Sequence, residues 1–225
     1  MNTGVAKVLD EPLRPGTHYR TEFFKATDTI NTRGLVVDVG GRDGRALAEL
    51  GVAGGVLVDV EVVPRSPAVS YVAGSGTDIP LRDGCADTVL ALDVIEHIDD
   101  EQRFVTELVR LLAPGGQLVL TTPSIDIRVL PGRAQKKIDQ IWGHHRVRGY
   151  DPSHLAELLC NAGADDVEVR SISMRAYRVG YLPMRALWQV WPRGGRAVVS
   201  AMARTDAGAK DARHGFVLAT AGRRA

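Results

Sequence analysis

Two aspartates and three glycines lie within the seven residues 38–44 of this chain, in a pattern suited to binding a ligand. Asp38, Gly40, Gly41 and Gly44 follow an apolar, β-branched run that starts at Leu35, which is typical of a buried parallel strand. Helix-forming residues come next. A strand, a glycine-rich turn and a helix bring backbone N–H groups to the carboxyl edge of a sheet, where nucleotide-like ligands bind.

A second acid is expected at the same edge. The apolar run 56–58 ends in Asp59, and Glu61 follows closely. The spacing from Gly40, about twenty residues, is that at which a βαβ unit returns an acid to the edge. A carboxylate there accepts hydrogen bonds from both hydroxyls of a ribose. Asp59 therefore favours an adenosine-containing ligand, although a solvated acid at a strand end is the alternative.

The glycine spacing distinguishes two such ligands. A dinucleotide-binding turn requires Gly-x-Gly-x-x-Gly, and Arg42 and Arg45 occupy its second and third glycine positions. The pattern Asp-x-Gly-x-Gly-x-Gly fits with one departure, at Arg42, and resembles the first motif of class I S-adenosylmethionine-dependent methyltransferases. Arg42 fits this pattern if its φ is negative, with the side chain directed away from the cofactor or toward the substrate. A glycine-rich turn that holds no ligand is the alternative interpretation.

Two later motifs extend the resemblance to roughly residues 30–175. Residues 93–97 and 112–116 are similar to the Asp-Val-Leu-Glu-His stretch and the Leu-x-Pro-Gly-Gly turn of one methyltransferase subgroup. The resemblance implies S-adenosyl-L-methionine as cofactor. It also implies an α/β fold with a Rossmann-like, doubly wound, mainly parallel seven-stranded sheet. The last strand would be antiparallel, and helices would cover both faces.

Hydrophobic patterning predicts the elements that position these residues. Helices are expected over 18–30, 99–112 and from Asp151 to about Asn161, with Asp151 as N-cap and Pro152 at the first helical position. Residues 114–116 should end the second helix. Strands are expected at 35–37, 56–59, 69–72, 87–92, 117–121, 167–172 and 216–220. We predict one domain over 1–225, with an arm and helix at 1–33, a cofactor-binding core at 34–172 and a basic, aromatic insertion with the last strand at 173–225.

By the resemblance, the cofactor-binding residues lie at the ends of the first four strands. They are Asp38, Gly40, Gly41, Gly44, Asp59, Ser75, Asp78, Leu92 and Asp93. The glycine-rich turn would surround the methionine part of the cofactor, and Asp59 would hold the ribose. Ser75 or Asp78 would approach the adenine amino group. Leu92 and Asp93 would line the pocket around the sulfonium.

Methyl transfer mainly requires that the nucleophile be aligned with the methyl group. A hydroxyl or amine acceptor also requires a base. His97, just after the fourth strand, is our first candidate, and bracing of the adjacent turn is its alternative role. His144 and His145 are second candidates, because their loop should face the pocket mouth. Since no set of acids or histidines has convincing metal-ligand spacing, we predict no metal site.

Composition limits the class of protein. The chain has 225 residues, 44% of them hydrophobic, and a net charge of +1. Such a balance argues against a nucleic-acid partner, which would require a large basic excess. The two cysteines, Cys85 and Cys160, are far apart and indicate a reducing compartment rather than a disulfide framework. With no apolar run of signal-peptide or membrane-spanning type, we expect a cytoplasmic protein.

Charge is distributed unevenly near the C-terminus. Residues 128–148 contain six basic residues and one acid, and residues 170–205 contain seven arginines and no acid. A solvated basic face, a site for an anionic acceptor and peripheral contact with an anionic membrane all fit this pattern. The sequence does not indicate an oligomeric state.

The favoured function is methylation of a small molecule. We expect an oxygen acceptor on an anionic, sugar or secondary-metabolite substrate. The alternatives are a non-catalytic adenosylmethionine-binding protein and an NAD-dependent oxidoreductase on a similar fold.

Overall fold

One seven-stranded sheet organises the molecule in the computed structural model, which describes residues 15–64, 67–125, 127, 149–209 and 215–223. The strand order is β3-β2-β1-β4-β5-β7-β6. The strands are β1 (Val36–Val39), β2 (Gly55–Asp59), β3 (Val69–Ala73), β4 (Ala86–Leu92), β5 (Leu112–Pro123), β6 (Asp165–Ile172) and β7 (Phe216–Gly222). Strand β7 is antiparallel to both of its neighbours, whereas β1 to β5 pair in parallel. The predicted fold class is confirmed.

Helices cover both faces of this sheet. They are α1 (Pro15–Thr27), α2 (Arg45–Leu50), α3 (Glu101–Leu111), α4 (Pro152–Asn161), α5 (Arg175–Val190) and α6 (Pro192–Ala207), and a short 3₁₀ turn spans Ile95–His97. One apolar cluster joins the sheet to α3 and α4 through side chains such as Phe104 and Leu159. The other joins it to α1, α5 and α6 through Phe23, Tyr177 and Val199. Alternate residues of the central strands point into one cluster or the other.

Local signals explain where helices α3 and α4 begin. The Asp151 carboxylate accepts a hydrogen bond from the Ser153 backbone N–H at 2.8 Å, and Pro152 occupies the first turn of α4, as predicted. Helix α3 begins at Glu101, since the Asp100 side chain accepts from the Arg103 N–H at 3.0 Å. The helix was predicted to begin two residues earlier.

The Pro-Gly-Gly segment has a different role from the one predicted. Helix α3 ends at Leu111, and β5 begins at the next residue. The pairing of β5 with β4 shifts from Ala86–Leu112 to Thr88–Gln117. Residues 114–116 therefore form an irregularity within a long strand rather than a turn that precedes a shorter one.

The acid-free segment 170–205 contains the end of β6 and almost all of two helices that the sequence did not predict. Helices α5 and α6 meet at Trp191 and Pro192, and α6 packs against both α5 and α1. Within the described ranges, we find no helix with the length and apolar character needed to cross a bilayer.

Candidate functional site

A cavity of about 210 Å³ opens beyond the carboxyl ends of β1 and β4. These neighbouring strands lie where the strand order reverses, the usual ligand position in open α/β sheets. The cavity is lined by Thr17 and Arg20 of α1, by Gly40, Gly41, Asp43, Arg45 and Ala46 of the glycine-rich turn and α2, and by Leu92 and Asp93 at the end of β4. Four predicted cofactor-binding residues, namely Gly40, Gly41, Leu92 and Asp93, therefore share this cavity.

The glycines of the turn are required by close packing. Gly40 adopts a φ of 81° and donates its N–H to the Val58 carbonyl at 2.7 Å. A Cβ at Gly40 would overlap Val94, and one at Gly41 would overlap the Asp38 carboxylate. Gly44 has a φ of 70° and is the N-cap of α2. Side chains here would close the approach to the backbone.

Arg42 does not keep the negative φ that the motif was expected to require. Its φ is 49°, in the left-handed region. Its N–H donates to Asp59 Oδ2 at 2.9 Å, its carbonyl accepts from the Val63 N–H at 3.0 Å, and its guanidinium donates to Glu61 at 3.2 Å. These three contacts hold an arginine in a conformation that glycine adopts more easily.

Asp38 is a buried acid directly behind the turn. It is 1% exposed, and its Oδ2 atom has no hydrogen-bond partner among the described residues. Burial, with smaller contributions from the charges of Asp43 and Asp59, raises the pKa of Asp38 to about 7. A ligand with a cationic or N–H group would supply the missing partner and favour the ionised form.

Two arginines of the cavity were not singled out from the sequence. Arg45 is 3% exposed, and its Nε and Nη1 atoms lack hydrogen-bond partners within the described residues. The distance from Arg45 Nε to Asp43 Oδ2 is 3.9 Å. Arg20 forms an ion pair with Asp93, and burial lowers the pKa of its guanidinium. The position of Arg45, directly after the third glycine, is a signal that could have identified it.

Asp38 and Gly44 are not among the residues that line the cavity. The last three predicted cofactor residues, Asp59, Ser75 and Asp78, lie at the end of β2 and in the turn after β3, also outside the lining. Asp59 accepts hydrogen bonds from two backbone N–H groups, those of Arg42 at 2.9 Å and Glu61 at 2.8 Å. Ser75 and Asp78 form an antiparallel bridge in the turn after β3. The Ser75 hydroxyl lies 2.9 Å from the Thr77 hydroxyl.

The candidate bases occupy different environments. His97 is exposed in the 3₁₀ turn after β4 and does not line the cavity. His144 and His145 lie outside the described residues. Among the described residues, we find no cluster of three or more metal-ligating side chains.

Glu96, beside His97, was not singled out from the sequence. It is buried, and its Oε2 atom accepts from the Thr122 hydroxyl at 3.1 Å. Its Oε1 atom has no hydrogen-bond partner among the described residues. Burial raises the pKa of Glu96 to about 7, although hydrogen bonds and the charge of Arg20 oppose this shift.

Comparison with known protein families shows that part of this chain is similar to methyltransferases. A model described as "Methyltransferase domain" matches residues 37–120, from β1 to β5. An uncharacterized methyltransferase of Mycobacterium sp. strain JLS is 39% identical over 104 residues, which cover 43% of this chain and 41% of the relative. A probable S-adenosylmethionine-dependent methyltransferase of Mycolicibacterium smegmatis is 36% identical over 99 residues, covering 44% and 36%. The chain thus spans about two fifths of the length of these curated relatives.

A solved structure extends the likeness to most of the chain at the level of the fold. Phosphoethanolamine N-methyltransferase 2 of Haemonchus contortus, in complex with S-adenosyl-L-methionine, superimposes with a TM-score of 0.61 and 17% identity. The match covers 90% of this chain and 51% of that one.

Proposed function

Because a model described as "Methyltransferase domain" matches residues 37–120, we propose that this chain transfers a methyl group from S-adenosyl-L-methionine to a small-molecule acceptor. One observation carries the proposal. The cavity at the strand-order reversal is lined by Gly40, Gly41, Leu92 and Asp93, residues that the motif assigns to this cofactor. The turn resembles the methyltransferase pattern, and its glycine spacing does not suit a dinucleotide.

The charges around the cavity suit the methionine part of the cofactor. The partnerless oxygen of Asp38 can accept a hydrogen bond from an ammonium group, and the partnerless N–H groups of Arg45 can donate to a carboxylate. Asp59, at the end of β2, is proposed to hold the ribose hydroxyls in addition to the two N–H groups that it already accepts. Ser75 or Asp78 is proposed to lie near the adenine.

When bound, the cofactor supplies an electrophilic methyl group, so the protein's task is mainly alignment. Leu92 and Asp93 are proposed to border the reacting centre. Arg20 closes the opposite wall from α1 through its ion pair with Asp93. The Nε–H group of Arg20, which has no hydrogen-bond partner among the described residues, can donate a hydrogen bond to an acid group of the acceptor. We propose oxygen as the methylated atom, with His97 as the base that removes its proton.

Titration calorimetry tests cofactor choice. We expect heat with S-adenosylmethionine and with S-adenosylhomocysteine, and none with NAD. Heat with NAD alone would instead support an oxidoreductase, which the glycine spacing argues against.

Turnover requires its own test. The chain is incubated with methyl-labelled S-adenosylmethionine and fractionated metabolite pools, and label is followed into products. We expect label in a small molecule that carries an acid group. Tight cofactor binding without label transfer from any pool would favour a non-catalytic binding protein.

A further inference from the structure

Helix α5 presents apolar side chains on two opposite faces. Tyr177, Tyr181 and Met184 are buried and recur at intervals of four and three residues. Val179, Leu182, Ala186 and Val190 recur at intervals of three, four and four residues, and all four are exposed. With about 100° of rotation per residue, the two sets lie about half a turn apart. The first set belongs to the apolar cluster shared with α1, α6 and the sheet, whereas the second set has no partner in the described fold.

The exposure of the second set is large. The exposed fractions are 81% for Val179, 63% for Leu182, 83% for Val190 and 59% for Trp191, the residue that follows the helix. Within the described ranges, these are four of the six large hydrophobic side chains that are exposed. Single exposed hydrophobes are common, but an aligned group on one helix indicates a contact surface.

Arginines lie at both ends and along one side of this apolar face, and acidic residues are missing from the same stretch of sequence. Arg175, Arg185 and Arg193 are exposed at the start, along the side and just beyond the end of α5. The stretch from Arg170 to Thr205 contains no acidic residue. Asp206, the first acid beyond it, is buried, and its carboxylate accepts backbone N–H groups at the start of α5.

We infer that the exposed face of α5 docks on the surface of an anionic lipid bilayer. Its apolar side chains would enter the boundary between headgroups and acyl chains, with Trp191 at the headgroup level. The arginines around it would contact acidic headgroups. A second copy of the chain is a poorer partner, because a symmetric contact would bring arginines together with no acid on either helix to neutralise them. This inference does not depend on the proposed methyl transfer.

Co-flotation with vesicles tests the inference directly. The chain is mixed with vesicles of phosphatidylcholine alone, or of phosphatidylcholine with 30% phosphatidylglycerol, and no cofactor is added. We expect binding to the anionic vesicles only, with release as salt rises. The variant L182S/V190S should bind at least tenfold less. The variant R175Q/R193Q should lose about fivefold for each arginine near the membrane surface.

Matched controls distinguish binding by this face of α5 from nonspecific adsorption to vesicles. Val60, which is 78% exposed, and the exposed Arg82 lie outside α5, so V60S and R82Q should bind vesicles as the unaltered chain does. Thermal unfolding confirms that each variant is folded. Equal binding to neutral vesicles, no binding at low salt, or unchanged binding by L182S/V190S would overturn the inference. Sedimentation showing a dimer that L182S/V190S abolishes would also overturn it, in favour of a second copy as partner.

Discussion

Asp38 and Arg45 bury opposite charges on the two sides of the glycine-rich turn, and each has polar atoms without a hydrogen-bond partner among the described residues. Leaving a buried charged group incompletely bonded costs free energy, on the order of 1–3 kcal/mol or more. A zwitterionic ligand that supplies a cation to one group and an anion to the other would remove both costs. We therefore propose that the two residues select a ligand with an amino acid moiety.

Replacing Arg45 tests this assignment. For Arg45→Met we expect the Kd for S-adenosylhomocysteine to rise about tenfold or more, the range for hydrogen bonds to a charged group. The Kd for its decarboxylated analogue should change little, because that ligand has no carboxylate. Calorimetry measures both constants, with Arg82→Met as the control for loss of an exposed arginine. Equal weakening of both ligands would show that Arg45 does not hold the carboxylate.

Asp59 combines a structural role with its proposed contact to the ribose. We expect Asp59→Ala to weaken S-adenosylhomocysteine by roughly 1.5–3 kcal/mol. Since the variant also frees the N–H groups of Arg42 and Glu61, the same measurement is made with the 2′-deoxy ligand, for which the loss should be smaller. An unchanged Kd in a folded variant would show that Asp59 does not hold the ribose, and Glu61 would be the next candidate.

His97 and Glu96 are adjacent but lie in opposite environments. If His97 is the base, His97→Ala should lower the rate of methyl transfer by about 10²–10⁴ and leave cofactor affinity unchanged. Single-turnover kinetics with labelled cofactor measure this rate. A decrease smaller than threefold would exclude His97. In that case Glu96→Gln becomes the informative variant, since the raised pKa of this buried carboxyl suits proton transfer near neutral pH.

At the scale of elements, α1, α5 and α6 are joined by one buried carboxylate. Asp206 accepts from the Tyr19 hydroxyl at 2.8 Å, from the Ala176 N–H at 2.8 Å and from the Tyr177 N–H at 3.2 Å. It thereby supplies the cap that Met174, at the N-cap position of α5, does not provide.

Asp206→Ala should lower the free energy of unfolding by about 2–4 kcal/mol, because it leaves buried donors on two helices unsatisfied. Tyr19→Phe, which removes only one of these bonds, should cost about 1 kcal/mol. Urea unfolding followed by circular dichroism compares the two. A smaller loss for Asp206→Ala than for Tyr19→Phe would contradict the capping role.

The sequence predicted the elements whose patterns are local. The β-branched run ending at Asp38 and the cap at Asp151 depend on neighbouring residues, and both lie where expected. Arg42 is different, because its φ depends on Asp59, seventeen residues away along the chain. Helix α5 was not predicted because apolar residues occur on two faces, so no single stripe indicates a helix. Arg20 enters the cavity through tertiary packing alone.

At the scale of the whole molecule, two buried acids link stability to pH. The pKa of Asp38 rises from its ordinary 3.8 to about 7, and that of Glu96 from 4.5 to about 7, chiefly through burial. At pH values between the ordinary and the raised pKa of each group, the folded state therefore binds more protons than the unfolded state. Their contribution to stability is fully present below about pH 4 and is lost as pH rises toward 7, by at most about 1.4 kcal/mol per pH unit for each group.

Asp38→Asn should remove the contribution of Asp38 to the pH dependence of stability. We expect unfolding free energies measured at pH 5 and pH 7.5 to differ less in this variant than in the unaltered chain. Glu61→Gln, at an exposed acid, serves as the control. An identical difference in both proteins would contradict a raised pKa for Asp38.

The contacts of α1 also set the order in which this molecule can be completed during synthesis. His18 and Tyr19 bond to Ser200 and Asp206, which lie 182 and 187 residues later in the chain. The glycine-rich turn has its strand neighbours once β4 has been translated, but the wall that contains Arg20 must wait until α6 leaves the ribosome. A growing chain therefore carries an unfinished site for most of its translation. It gains a closed site, and covers the aromatic side chains of α1, only when the last third has been made.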